Sequence, residues 1–280
     1  MTRRTNRWLY GLVVVIFLIW VLGPLLWTVL LSLTPETEML GRTTDLLPQA
    51  LSLDNYKNIL LPGSRAHATV FNGLMNSLKM AGITVAIGLP IATMTGYAFA
   101  RFRFQGRRLV LYFLLLTIVI PVFTTIIPIY AMFAERGWLD SQFWMSIIYI
   151  SAFLPMTTWM AMTYFQAIPR ELWEAARTDG CSEWQAFTKV ILPNSYPILV
   201  SCFLMLFLMS WSQYQIPMIL SVTKDTKVVT LVMSEFMTRT SVNYGAIATT
   251  GLLAILPPAL LALLFKRYLL SGLMSGAVKG

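Results

Sequence analysis

Ionisable groups are almost missing from the most apolar parts of this chain. Its 12 acidic residues all fall outside six long apolar runs, near residues 9–31, 80–99, 109–130, 144–165, 196–220 and 246–265. Proton or sodium coupling relies on carboxylates or histidines at membrane depth, because such groups can hold and release the ion there. An ion-coupled secondary transporter is therefore the disfavoured reading. The single histidine, His67, also lies outside those runs, so neither a histidine metal site nor a catalytic dyad has a second member. Cysteine is as sparse: Cys181 sits in a charged segment and Cys202 in an apolar run, a placement that suits two free thiols better than a disulfide. No G-x-x-x-x-G-K-S/T phosphate loop, G-x-S-x-G elbow or H-E-x-x-H helix occurs. These absences argue against ATP binding by that loop, serine hydrolysis and zinc proteolysis, and leave a membrane-embedded enzyme without its constellation. Uphill movement by such a chain would draw its energy from another polypeptide.

What the sequence does have is apolar length. Hydrophobic residues make up 57% of the 280 and charged residues only 12%, against about 25% charged in soluble domains. A hydrocarbon core roughly 30 Å thick takes about 20 apolar residues per helix, so the six runs predict an all-α membrane protein with six transmembrane helices. The first run is longer than a signal-peptide core and is read as a retained span. Basic residues favour one side: Arg3, Arg4 and Arg7, then Arg101, Arg103, Arg107 and Arg108, then Arg170, Arg177 and Lys189, and finally Lys266, Arg267 and Lys279. The positive-inside rule places those segments, and both termini, in the cytoplasm. It also accounts for the net charge of +9 without a nucleic-acid partner. The expected organisation is a cytoplasmic N-terminus over 1–8, a six-span domain over 9–271 and a cytoplasmic tail over 272–280.

Between the fourth and fifth runs, residues 168–193 form a polar interruption that reads as two short helices and a turn. Pro169 suits a helix start, Glu171 and Glu174 sit in the positive N-terminal turns, and Gly180 supplies the stop. Ser182 then stands three residues before Gln185, the spacing of a capping box, and Trp184, Phe187 and Ile191 share a face before Pro193. On the opposite side of the membrane, the long loop 34–76 ends in an amphipathic stretch with Leu51, Leu53, Tyr56, Ile59 and Leu60. It is either a surface cap or a docking surface. Every run carries Pro or Gly, which suits helices that kink as a pathway opens but is also common in membrane helices at large. The densest uncharged polar set at depth is Trp211, Ser212, Gln213, Tyr214 and Gln215, ahead of Pro217; Thr93, Thr95 and Trp159 could line the same route. Amides and aromatic rings there would suit a polar, uncharged solute, and would equally suit interhelical packing.

The polar hairpin resembles the EAA loop of ATP-binding-cassette importer permeases. Glu174, Ala175, Ala176, Gly180, Val190, Leu192 and Pro193 fit its spacing, with Val190 where isoleucine is commoner. NYKNIL, the NSL at Asn76, YAFARFRFQG from Tyr97 and the closing GLMSGAVKG look like the second, maltose-type permease of carbohydrate importers. That resemblance implies a type I importer permease fold in a prokaryotic inner membrane. It also implies a heterodimer with a second permease, an extracytoplasmic solute-binding protein, and a cytoplasmic ATPase dimer that binds the ATP and Mg, this chain holding no cofactor. Glu174, Ala175, Ala176, Arg177, Asp179 and Gly180 would form the coupling helix seated on the ATPase, with Leu192 and Pro193 closing the motif. The tail at Lys279 and Gly280 would lie near the same interface. The family's fifth span commonly reads W-N-D/E-F/Y, whereas here Trp211, Ser212, Gln213 and Tyr214 put a neutral amide at the acidic position. The expected cargo is a sugar or oligosaccharide, with glycerol phosphate or another polyol derivative as the alternative.

Overall fold

The computed structural model describes residues 2–41, 48, 50–237 and 242–274. Among them the regular structure is helical, and the one strand-type pairing is an isolated bridge from Met237 to Val242. Among the described residues four helices are long and apolar enough to cross a membrane, and up to six spans result if each of two bent pairs counts as one. The backbone divides into two compact units, Met1–Gly73 with Val229–Leu256, and Leu74–Val228 with Pro257–Gly280.

The first unit contains α1 (Thr2–Ser32), α2 (Glu36–Gly41), α3 (Asp54–Leu60), the start of α4 (Arg65–Arg101), α13 (Val229–Glu235) and the start of α14 (Tyr244–Met274). The amphipathic stretch becomes α3, but its anchor is polar. Asn55 is buried and its amide donates to the carbonyls of Ser32 and Thr34, each at 3.0 Å, satisfying acceptors at the end of α1. Tyr56 adds a 2.9 Å hydrogen bond to the Ser32 hydroxyl. Of the expected apolar face only Ile59 is buried, while Leu51, Leu53 and Leu60 are exposed. Gly73 permits α13 to approach α4, since a Cβ there would meet Val232 Cγ2 at 2.8 Å.

The second unit holds the rest of α4, then α5 (Arg107–Leu116), α6 (Val122–Glu135), α7 (Gln142–Ala167), the polar hairpin, α11 (Tyr196–Trp211), α12 (Gln215–Leu220) and the end of α14. Its core is built on α7, against which α11 packs, with Tyr149, Met145, Met80 and Leu206 fully buried. Gly96 brings α4 backbone-close to α7, since a Cβ would lie 2.7 Å from that of Ala161 and 2.9 Å from the Met162 nitrogen.

Two of the expected proline-bearing spans are broken outright rather than kinked, each at a proline. The third bends by 94° between the segments Arg107–Val119 and Phe123–Glu135. Pro121 has no N–H to donate and forces Ile120 into extended backbone with ψ 117°. The fifth ends as a helix at Trp211 and restarts at Gln215. Pro217 explains the gap, because its ring would clash with the carbonyl four residues back, at Gln213. Pro90, Pro128 and Pro155 stay inside continuous helices.

The connections that follow α6 and α12 are clasped together. Asp140 adopts φ 61°, and its carboxylate accepts from the Thr226 hydroxyl at 2.6 Å and the Thr223 N–H at 2.9 Å. Buried Asn76 donates to the carbonyls of Asp225 and Lys227 at 2.7 and 3.0 Å and accepts from Gln142 at 2.6 Å. Partial burial alone would raise the Asp140 pKa, but the bonds from Thr226 and Thr223 outweigh it and hold the carboxyl below its ordinary value.

Candidate coupling hairpin and polar break

The hairpin is built from two helix-terminating devices back to back. α8 (Arg170–Thr178) follows Pro169 directly. It ends at Gly180, whose φ of 84° is the left-handed conformation that glycine adopts without penalty. The Gly180 N–H reaches the Arg177 carbonyl at 3.1 Å and the Cys181 N–H reaches the Ala176 carbonyl at 3.0 Å, a Schellman closure that satisfies the last carbonyls of α8. Arg177 also donates to the Cys181 carbonyl at 2.6 Å, tying the turn to the helix it leaves. Immediately afterwards Ser182 and Gln185 form a complete capping box, with bonds of 3.2 and 2.9 Å, and open α9 (Glu183–Gln185).

The second half differs from the single α-helix expected. α9 widens into a π-helical stretch, Ala186–Ile191, before α10 (Leu192–Asn194). Pro193 does not end the run, and the chain turns by 80° between Glu183–Asn194 and α11. Phe187 and Ile191 are buried in a cluster with Tyr97 of α4, Ala161 and Phe165 of α7, and Ile198 and Cys202 of α11. Tyr97 lies 4.6 Å from the Phe187 ring and 5.7 Å from that of Phe165. Each such buried aromatic contributes about 1.5–3 kcal/mol. Trp184, placed on the same face in the sequence reading, remains 60% exposed.

The expected coupling residues separate by direction. Glu174, Ala175, Arg177, Asp179 and Gly180 are exposed along α8 and its turn. Ala176 points the other way and is buried, so the two alanines have different jobs: Ala175 leaves an outer surface low, and Ala176 lets α8 lie close to its own hairpin. Leu192 is half-buried and Pro193 exposed.

The polar set of the fifth span falls on the break. Trp211 is the last residue of α11, buried and stacked on Phe207 at 5.6 Å in a ladder that continues to Phe203. Ser212, Gln213 and Tyr214 form the non-helical gap, with Ser212 and Tyr214 exposed and Gln213 half-buried, and Gln215 starts α12. A helix interruption turns backbone polar groups away from their usual partners, which is tolerated in membranes where protein or a watered cavity receives them. Thr93 contributes no free hydroxyl, since it donates to the Leu89 and Pro90 carbonyls of its own helix.

Residues 88–274 match the family described as binding-protein-dependent transport system inner membrane component. The chain belongs to that family. This permease is similar to the trehalose transport system permease protein SugB of Mycobacterium tuberculosis, 30% identical over 92% of each chain. It is also similar to the maltose/maltodextrin permease protein MalG of Salmonella typhimurium, 31% identical over 95% of this chain and 93% of the relative. A chain from the crystal structure of a bacterial ABC transporter involved in import of the acidic polysaccharide alginate superposes with a TM-score of 0.79. That match covers 96% of this chain and 98% of that one at 19% identity, a likeness of fold.

The permease fold exposes Glu174, Ala175 and Gly180 of the EAA spacing, buries Ala176, and leaves Val190 and Leu192 half-buried and Pro193 exposed beside the packed Phe187 and Ile191. Lys279 and Gly280, expected beside the same interface, lie outside the described residues. Sequence reasoning missed Arg101, Trp173 and Glu183, which meet at the base of the hairpin. The only hint was a lone tryptophan among the charges of α8.

Proposed function

We propose that this permease is one of two membrane subunits of an ATP-driven importer for a sugar or oligosaccharide, and that α8 receives its driving force from a cytoplasmic ATPase. The observation that carries the reading is the division of the hairpin. Its exposed half presents Glu174, Ala175, Arg177 and Asp179, and its other half buries Phe187 and Ile191 among three spans. A contact on α8 therefore reaches spans directly. Solute arrives on an extracytoplasmic binding protein and passes the break at Ser212, Gln213 and Tyr214, where neutral amide and hydroxyl groups suit an uncharged polyhydroxy ligand. ATP and Mg reside on the ATPase, and both termini of the permease face the cytoplasm. The trehalose and maltose relatives favour the sugar over a polyol phosphate.

The test is uptake by the reconstituted transporter with its binding protein. Accumulation should require ATP inside the vesicle, survive collapse of the proton gradient, and be competed by unlabelled sugars but not by glycerol phosphate. Uptake that persists after ATP depletion and stops when the gradient is collapsed would overturn the reading.

A further inference from the structure

Arg101 closes α4, and its guanidinium carbon lies 3.8 Å from the ring centroid of Trp173 on α8. The other edge of the same indole is held by the hairpin, since Trp173 Nε1 donates to Glu183 Oε2 at 3.0 Å. Glu183 Oε1 in turn lies 3.8 Å from Arg177 Nε. One ring thus joins the end of the second span to α8 and to the cap of α9. A cleft beside it is lined by Tyr97, Arg101, Phe165, Pro169, Trp173 and Ile191. Tyr97, one helical turn before Arg101, has a buried hydroxyl that faces the Trp173 indole.

We propose that Trp173 and Arg101 are positioning residues that carry displacement of α8 into the second span, a route separate from the path through Phe187 and Ile191 into α11. This rests on the reading that α8 is the ATPase-docking helix. The chemistry suits a moving joint. A cation over an aromatic face is held by the ring quadrupole without strict direction, so the guanidinium can slide across the indole while remaining bound. The indole N–H is directional and charge-assisted, and fixes Trp173 to the hairpin. The Tyr97 hydroxyl, which already faces the indole, supplies a second acceptor in the same cleft, so the indole N–H can shift between Glu183 and Tyr97 as α8 turns. The Glu183 carboxylate is half-exposed and would then be met by Arg177 and water.

The experiment compares Arg101→Lys, Arg101→Gln, Trp173→Leu and the Arg101→Gln/Trp173→Leu double variant in the complete transporter, reconstituted in vesicles. It reads ATPase co-purification, binding-protein-stimulated hydrolysis and solute imported per ATP. Arg101→Gln should keep the ATPase bound and hydrolysing while import per ATP falls about tenfold, within the usual coupling range. Arg101→Lys should stay within about twofold, because the ammonium also sits on the ring. The double variant should be no worse than the worse single variant, as expected of residues acting through one contact. Unchanged import per ATP in Arg101→Gln, equal losses in the Lys and Gln variants, or multiplying losses in the double variant would each overturn the proposal. Failure of the docking reading gives a different result: Glu174→Lys would leave both co-purification and uptake intact.

Discussion

Substituting Gly180 separates backbone conformation from contact at the hairpin. At φ 84° the residue is in left-handed space, and a Cβ added there meets nothing within 4 Å. The cost of a side chain is therefore conformational. It should be about 1–2 kcal/mol for Gly180→Ala, larger for a β-branched residue, and small for Gly180→Asn, whose side chain tolerates that region. Since about 1.4 kcal/mol is a factor of ten in an equilibrium, Ala should lower the population with the Schellman closure by roughly 5–30-fold relative to its local alternatives. Val should abolish it, releasing the bonds of Gly180 and Cys181 to the end of α8. ATP-driven uptake in reconstituted vesicles should follow the order Gly, Asn, Ala, Val, with membrane insertion unchanged in all four. Equal uptake throughout would refute the coupling role of the turn. Asn as poor as Val would show that the size of the side chain against a partner, rather than φ, is what matters.

Gly96→Val should destabilise the permease by about 1–3 kcal/mol through overpacking, because its Cβ would overlap Ala161 and the Met162 backbone; thermal unfolding in detergent reads this. Asp140 has a lowered folded pKa, so its contribution is fully present above the ordinary carboxylate pKa and is lost as pH falls through the depressed folded value. Amide hydrogen exchange at Thr223, whose N–H is bonded to the carboxylate, should rise over that acidic window in the native chain, and Asp140→Asn should remove the pH step. Gln213→Ala and Tyr214→Ala should change which solutes compete for uptake while hydrolysis continues; unchanged selectivity would return the break to a packing role.

Much of the hairpin was readable because its signals are local. A glycine that ends a helix and a Ser-x-x-Gln box are satisfied by neighbours three or four residues away, so their spacing alone specifies the bonds at Gly180, Ser182 and Gln185. The spans were readable for the same reason, as continuous apolar length. The breaks at Pro121 and Pro217 were not distinguishable from Pro90 and Pro155, because a proline kinks or interrupts a membrane helix according to which neighbours take up the freed carbonyl. Direction within α8 was also hidden, since adjacent alanines carry no pattern, and Ala176 is buried on a helix that packs against the second half of the hairpin. Arg101 and Trp173 are 72 positions apart in the chain, and nothing in either neighbourhood announces the other.

The corner at Ser195 has a mechanical consequence. Ser195 is buried, with its hydroxyl on the Ile191 carbonyl at 2.7 Å and its N–H on that of Leu192 at 3.0 Å, so the 80° bend is braced from within. The two segments meeting there form a bell crank. At 1.5 Å per residue the hairpin arm is about 18 Å long and α11 about 24 Å. A rotation of about 10° at the short arm would sweep the far end of the long one by about 4 Å. That far end is Trp211, the edge of the break, so a small tilt of the hairpin would displace Ser212, Gln213 and Tyr214 by a distance approaching the width of a sugar ring.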